Sequence, residues 1–184
     1  FISIELSDPP DDYDPVTIDS TVDFTAIDDA WSSLETYFIE KGVTVVNGSF
    51  GYQGNIVDYN EVDLRYAFPK TISVLAQTDT PDPYKTIFVW SAGNAGAYAD
   101  QGIDYSSPEV FAGMAYLLPE LQTHSVAVVA LDEDGTIAYY SSRCGVAKDY
   151  CIAAPGSNIY SAYTQENANN GYVSWNGTSM AAPH

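Results

Sequence analysis

The residue whose setting best suits chemistry is Ser179, in Asn176-Gly177-Thr178-Ser179-Met180-Ala181-Ala182-Pro183-His184. A small-residue turn running into Met-Ala-Ala predicts a serine at the opening of a helix. There, free backbone N–H groups and the positive end of the helix dipole face whatever the hydroxyl touches. Donors so placed stabilise an oxyanion that forms beside a nucleophilic oxygen. A serine hydroxyl also needs a base, because without one it is a weak nucleophile. The two histidines of the chain are His124 and His184. From a helix that starts at Ser179, His184 is rotated by roughly 140° at about 100° per residue. It therefore reads as a packing or cap residue. His124 precedes Ser125-Val-Ala-Val-Val with nothing in the sequence to orient it as a base. Two further small-residue turns, Asn47-Gly48-Ser49-Phe50-Gly51 and Ser91-Ala92-Gly93-Asn94-Ala95-Gly96, each follow an apolar run and offer hydroxyls, an amide and close backbone approach.

The elements that must position these turns alternate in character. Apolar residues at Ile27, Ala30, Trp31, Leu34, Tyr37 and Phe38 predict a helix over Thr25 to Lys41, stopped by Gly42. A second helical segment is predicted from about Glu61 to Gln77. Short apolar strands are predicted at Val43 to Val46, Thr86 to Trp90 and Ser125 to Leu131, with FISIEL at the start as another. The segment from Ser7 to Asp19, rich in Asp and Pro, reads as a loop. Helices alternating with buried, β-branched strands imply an α/β domain with a largely parallel sheet. In such sheets functional groups gather at the carboxyl ends of the strands, where both small-residue turns fall.

Composition narrows the function classes. Six Lys plus Arg against 25 Asp plus Glu give a formal charge of −19, which disfavours nucleic acid and anionic membranes as partners. No apolar run approaches the ~18 residues of a membrane helix, and FISIEL lacks the basic flank and cleavage site of a signal peptide. Asp8, Asp11, Asp12, Asp14, Asp19 and Asp23 raise the question of calcium, but they lack the order of an EF-hand loop. Cys144 and Cys151 have six residues between them, too many for a redox C-x-x-C. With two histidines in the chain a zinc cluster is poorly supported, and no metal site is assigned. A local disulfide is the expected state of the pair, which points to an oxidising compartment.

The block N-G-T-S-M-A-A-P-H resembles the serine signature of the subtilisin-like proteases, the subtilases. In the same resemblance Asn94 of S-A-G-N matches the oxyanion-hole asparagine. Ser49-Phe50-Gly51 matches the segment that pairs with the substrate backbone. Ser91-Ala92-Gly93 matches the lining of the pocket for the residue before the cut. Ala154-Pro155-Gly156 stands upstream of the serine as it does in the family, and the stretch from Ser107 to Gly156 looks most like subtilases borne on bacterial autotransporters. The resemblance implies a three-layer α/β fold, largely parallel and flanked by helices, incomplete at both ends. Residues 1–184 would be the C-terminal portion of a catalytic domain, ending just after the nucleophile. It further implies a serine endopeptidase acting on polypeptides, exported to the cell surface or medium, with a translocator or anchor downstream.

Two departures accompany it. The family's Asp block, D-[ST]-G, and its His block, H-G-[TS]-H, are both missing from the chain. As it stands the chain is expected to be inactive. A competing interpretation is therefore a non-catalytic peptide-binding or adhesive module that has kept the fold. Gly177-Thr-Ser179-Met-Ala181 also approaches the elbow of α/β-hydrolases, but no HGGG-like loop accompanies it. Asn94 argues against the sedolisins, which place Asp there. Asn47-Gly-Ser and Asn176-Gly-Thr match the glycosylation sequon; inside an active-site framework, modification is not expected.

Overall fold

The computed structural model describes residues 13–15, 17–18, 21–81, 84–163 and 171–184. FISIEL, most of the Asp/Pro-rich segment and the acids Asp8, Asp11, Asp12 and Asp19 lie outside the described residues.

Helix α1 spans Thr25–Glu40 and ends as its glycine predicts. Gly42, at φ +67°, donates to Ile39, and Val43 donates to Phe38 at 3.1 Å, which closes a Schellman turn. The buried face of α1 differs from the expected one. Asp28, Ser32 and Glu35 point inward, whereas Ile27 and Tyr37 are exposed. The reason lies in a neighbouring helix end. The N–H groups of Lys70 and Thr71 have no partner within their own helix, and the Asp28 carboxylate accepts both, at 3.0 and 2.8 Å. Capping another helix thus turns a polar face of α1 inward.

The predicted segment from Glu61 to Gln77 is two helices, α2 (Glu61–Ala67) and α3 (Pro69–Ala76). Pro69 breaks it, because a proline has no N–H to give and excludes the α region for Phe68, which sits at φ −131°, ψ 46°. Asn60 and Asp63 form a reciprocal capping box that starts α2.

Four parallel strands make the sheet in the order β1 (Val45–Gly48), β2 (Ile87–Ser91), β3 (Ser125–Leu131) and β4 (Cys151–Pro155). The first two begin one or two residues later than their apolar patterns suggest. The apolar stretch Thr136 to Tyr140, whose composition suits a strand, is instead a turn with a single bridge, Ile137 to Leu131. There Asp134 accepts bonds from the N–H and hydroxyl of Thr136, which folds the chain back too tightly for a ladder.

Strand alternation divides the sheet into two faces. Phe88, Trp90 and Ala127 point into a core with Ile56, Leu64, Phe68, Phe111 and Met114, the last two from α4 (Val110–Leu117). Trp90 stacks on Phe111 with ring centres 5.4 Å apart. Val128 and Ala130 point the other way, onto Ala181 and Ala182 at α5 (Thr178–Ala181). Helices therefore lie on both sides of the sheet, in three layers. A hairpin of β5 (Ile159–Ala162) and β6 (Tyr172–Trp175) leads into α5.

Candidate active site

The carboxyl ends of β1 and β2 open onto the N-terminus of α5, so Ser49, Gly93, Asn94 and Ser179 meet although up to 130 residues separate them. Ser179 is half-buried in the first turn of α5. Its hydroxyl donates to the Ser49 carbonyl at 3.0 Å, and the Ser49 hydroxyl donates to the Ser179 carbonyl at 2.8 Å. Asn47 Nδ2 holds the Ser49 hydroxyl from the other side, at 2.8 Å. This reciprocal pair locks the segment Ser49–Gly51 to the serine turn.

The orientation of the Asn94 amide follows from its partners. The Thr178 backbone N–H is only a donor, so the Asn94 atom 3.0 Å away must be the acceptor Oδ1. The Thr178 hydroxyl accepts from Gly93 N–H at 3.1 Å and passes its own proton to the same Oδ1 at 3.1 Å. With the oxygen held twice, the NH₂ of Asn94 faces away from Thr178. It lies 3.7 Å from the point that a side chain on Gly177 would occupy, and Ser179 N lies at the same distance from that point. Two N–H donors thus border one small space beside Gly177, which Met180 Sδ also borders, 3.3 Å from the same point. The Ser179 N–H, in the first turn of α5, has no acceptor within its helix. The helix holds four residues, so these local N–H groups, rather than a long helix dipole, supply the field. Asn94 makes no cap bond to the 3₁₀ turn that follows it; its side chain belongs to the serine turn.

Ser91, Ala92 and Gly93 are buried behind this space and pinned by main-chain bonds. Ala92 donates to Val128 and Ser142 donates to Gly93, both at 2.9 Å. Gly156 donates to Leu131 and accepts from Gly177, and a side chain there would press on Ala130 Cβ at 2.5 Å. That close approach explains the glycine that ends Ala154-Pro155-Gly156. Phe50 takes a different role from its neighbours: its ring stacks on Trp31, centres 4.3 Å apart, and borders Trp90 and Phe111. Its ring is thus partly buried against the core. Gly51 is exposed.

Neither histidine reaches the serine hydroxyl. His184 Nδ1 bonds the Met180 carbonyl at 2.9 Å, as a helix-end cap. His124 is buried, with Nε2 against the Leu75 carbonyl. Cys144 and Cys151 form a disulfide with Cα atoms 5.7 Å apart, tying the loop before β4 to its first residue. Among the described residues no cluster of three His, Cys, Asp or Glu side chains is poised for a metal, and no helix is long and apolar enough to cross a membrane. A groove of about 560 Å³ between α1 and α3, lined by Ser32, Thr36, Lys70 and Ser73, shares no residue with the serine constellation.

One residue of the site escaped the sequence reasoning. Glu109, the residue before α4, sends its carboxyl back under Gly93, where it meets the Asn94 backbone N–H. Any side chain at position 93, where φ is +103°, would overlap that carboxyl. Burial pushes its pKa up to about 8, and the Asn94 N–H offsets part of that rise. The one local signal is an acid standing alone in the apolar run Val110-Phe-Ala-Gly-Met.

Comparison with known proteins places these features in a wider frame. The profile of the Subtilase family matches residues 15–184. An extracellular serine protease of Serratia marcescens is 33% identical over 116 residues, covering 53% of this chain and 10% of that protein. Serotype-specific antigen 1 of Mannheimia haemolytica is 29% identical over 159 residues, covering 83% of this chain and 16% of that protein. The chain thus spans a small part of the length of these relatives. Among solved structures, the prenylagaramide maturation protease PagA superposes with a TM-score of 0.60 at 20% identity, over 85% of this chain and 45% of that one. A lanthipeptide protease gives 0.55 at 19% identity, over 90% and 50%. At such identities the likeness is one of fold.

Proposed function

Since the chain belongs to the subtilase family, we propose that it is the nucleophile-bearing part of a serine endopeptidase, with Ser179 as the attacking group. The Ser179 hydroxyl adds to the carbonyl carbon of a scissile peptide bond, and the carbonyl oxygen becomes an oxyanion. That oxygen enters the space beside Gly177, between the Asn94 amide and the Ser179 N–H, where preorganised donors stabilise developing charge. Ser49–Gly51 and Ser91–Gly93 flank the substrate on either side. The hydroxyl proton needs an acceptor basic enough to keep it. The Ser49 carbonyl, its present partner, is not one. The reading therefore takes the His and Asp of the triad from outside this chain.

The observation that carries the proposal is the doubly held Asn94 oxygen, which aims the amide at the same space as the Ser179 N–H. An oxidising compartment fits the Cys144–Cys151 bridge. Export also agrees with the names of the Serratia protease and the Mannheimia antigen.

The test is active-site labelling of the protein expressed from its complete gene. A fluorophosphonate probe should modify Ser179, and Ser179→Ala should abolish the modification. Equal labelling of the alanine variant would remove Ser179 as nucleophile. Failure of the wild-type protein to label would favour a non-catalytic, peptide-binding module on the same fold.

A further inference from the structure

Glu109 and the residue after it are tied by main-chain bonds to the segment Ser91–Gly93 and to Tyr52, which follows Ser49–Gly51. Its N–H donates to the Ala92 carbonyl at 2.9 Å, and the next N–H, of Val110, donates to the Tyr52 carbonyl at 3.3 Å. Its side chain does not cap the helix it precedes. It fills the volume that Gly93 leaves vacant and ends against the Asn94 N–H. The residue keeps part of its surface accessible although its carboxyl is closely surrounded. Glu109 thus borders the serine constellation through Gly93 and lies outside the apolar core. Its titratable neighbours are the phenols of Tyr13 and Tyr59, whose ionisation its charge opposes. No Lys or Arg side chain pairs with it; the ion pairs among the described residues go to Glu61, Glu120 and Asp29.

We propose that Glu109 sets the specificity of the cleft, selecting substrates with lysine or arginine immediately before the scissile bond. The inference rests on the peptidase reading above and adds a substrate class to it. Ser91–Gly93 and Ser49–Gly51 border the entry of that side chain, and Glu109 lies beneath Gly93, one residue from the amide that receives the oxyanion. An ammonium or guanidinium group arriving there gives the enclosed carboxyl an opposite charge, which none of the ion pairs among the described residues supplies. An apolar side chain would cover the carboxyl without compensating it. A site that leaves a buried polar group unpaired with the wrong substrate discriminates far more strongly than one that differs by a methylene. The raised pKa of Glu109 agrees with an acid awaiting a cation, since an opposite charge within a few ångströms restores its ionised form.

The experiment compares peptide anilides identical except at the residue before the cut. Lysine is set against norleucine, which keeps the chain but lacks the ammonium group, with the protein expressed from its complete gene. The ratio of kcat/KM, lysine over norleucine, should be roughly 10² in the wild type and should collapse toward unity in Glu109→Gln. A wild-type ratio near unity overturns the proposal without reference to any variant. So does a ratio that survives Glu109→Gln, because the side chain would then merely brace the Gly93–Asn94 turn. If neither these substrates nor a denatured protein mixture is cleaved, the peptidase reading itself fails. Benzamidine binding by calorimetry then decides the pocket: affinity at least tenfold weaker in Glu109→Gln supports it, and equal affinity rejects it.

Discussion

Replacing Thr178 by valine keeps the shape of a fully buried side chain and removes its hydroxyl alone. In the structure that hydroxyl is the middle link of a chain: Gly93 N–H donates to it and it donates to Asn94 Oδ1, each at 3.1 Å. Two losses follow. The buried Gly93 N–H keeps no acceptor, at a cost of about 1–3 kcal/mol. Asn94 loses one of two donors to its oxygen, about 0.5–1.5 kcal/mol more. Stability should fall by roughly 2–4 kcal/mol, read as a lower urea midpoint at unchanged m-value. The Thr178 backbone N–H still holds the amide, so its orientation is loosened rather than lost. If that loosening withdraws about 1–2 kcal/mol from the transition state of the proposed peptidase, kcat of the protein expressed from its complete gene falls by roughly 5–30-fold with KM little changed. Thr178→Ser restores the hydroxyl and should recover most of kcat, leaving only the loss of one buried methyl, about 1 kcal/mol of stability. A valine variant with wild-type kcat would show that the Thr178 hydroxyl does not orient Asn94. A serine variant as slow as the valine variant would assign the effect to packing instead.

Asn94→Leu removes the proposed donor altogether, and kcat should drop by roughly 10²–10³ with little change in KM; a near-native kcat would reduce the asparagine to a brace for the serine turn. Glu35 offers a pH test of the scaffold, since it is buried on α1 with Oε2 unpartnered and burial pushes its pKa up to about 8 from the 4.5 of a free glutamate. The folded form keeps a proton that the unfolded chain releases, so stability should decline as pH rises from about 4.5 to about 8. Glu35→Gln should flatten that decline and stabilise the protein by on the order of 2–4 kcal/mol at pH 8. Glu109 shifts in the same direction and leaves a residual slope; urea midpoints at pH 5 and pH 8 that move in parallel for both proteins would contradict the assignment. For the Cys144–Cys151 bridge, intact mass should show alkylation of both cysteines only after reduction, and a double serine variant should lose roughly 2–3 kcal/mol; two alkyl groups on unreduced protein would exclude the bridge.

What could be read from the sequence is what near neighbours decide. Ser125–Leu131 is a strand because six consecutive small or β-branched residues followed by a leucine suit burial on both faces of a parallel sheet, and no other segment has to specify that. Helix α1 stops where it does because Gly42 alone tolerates the left-handed turn at that point. The serine block and the Asn94 turn are legible locally as small-residue turns after apolar runs, while the roles given to them are what the resemblance to the subtilases implies. The rest needed the chain to return on itself. Which face of α1 is buried was settled by the carboxylate of Asp28 finding the open end of α3, more than 40 residues away. Phe50 sends its ring into the core because Trp31, Trp90 and Phe111 converge there, which no pattern around Ser49–Gly51 records. The direction of the Asn94 amide depends on a threonine 84 residues later, and Glu109 gained its place under Gly93 only once α4 docked against β2. Hydrogen bonds and charges act over a few ångströms, so they choose partners by distance in space. Periodicity records distance along the chain, and it loses those partners once the chain has folded back.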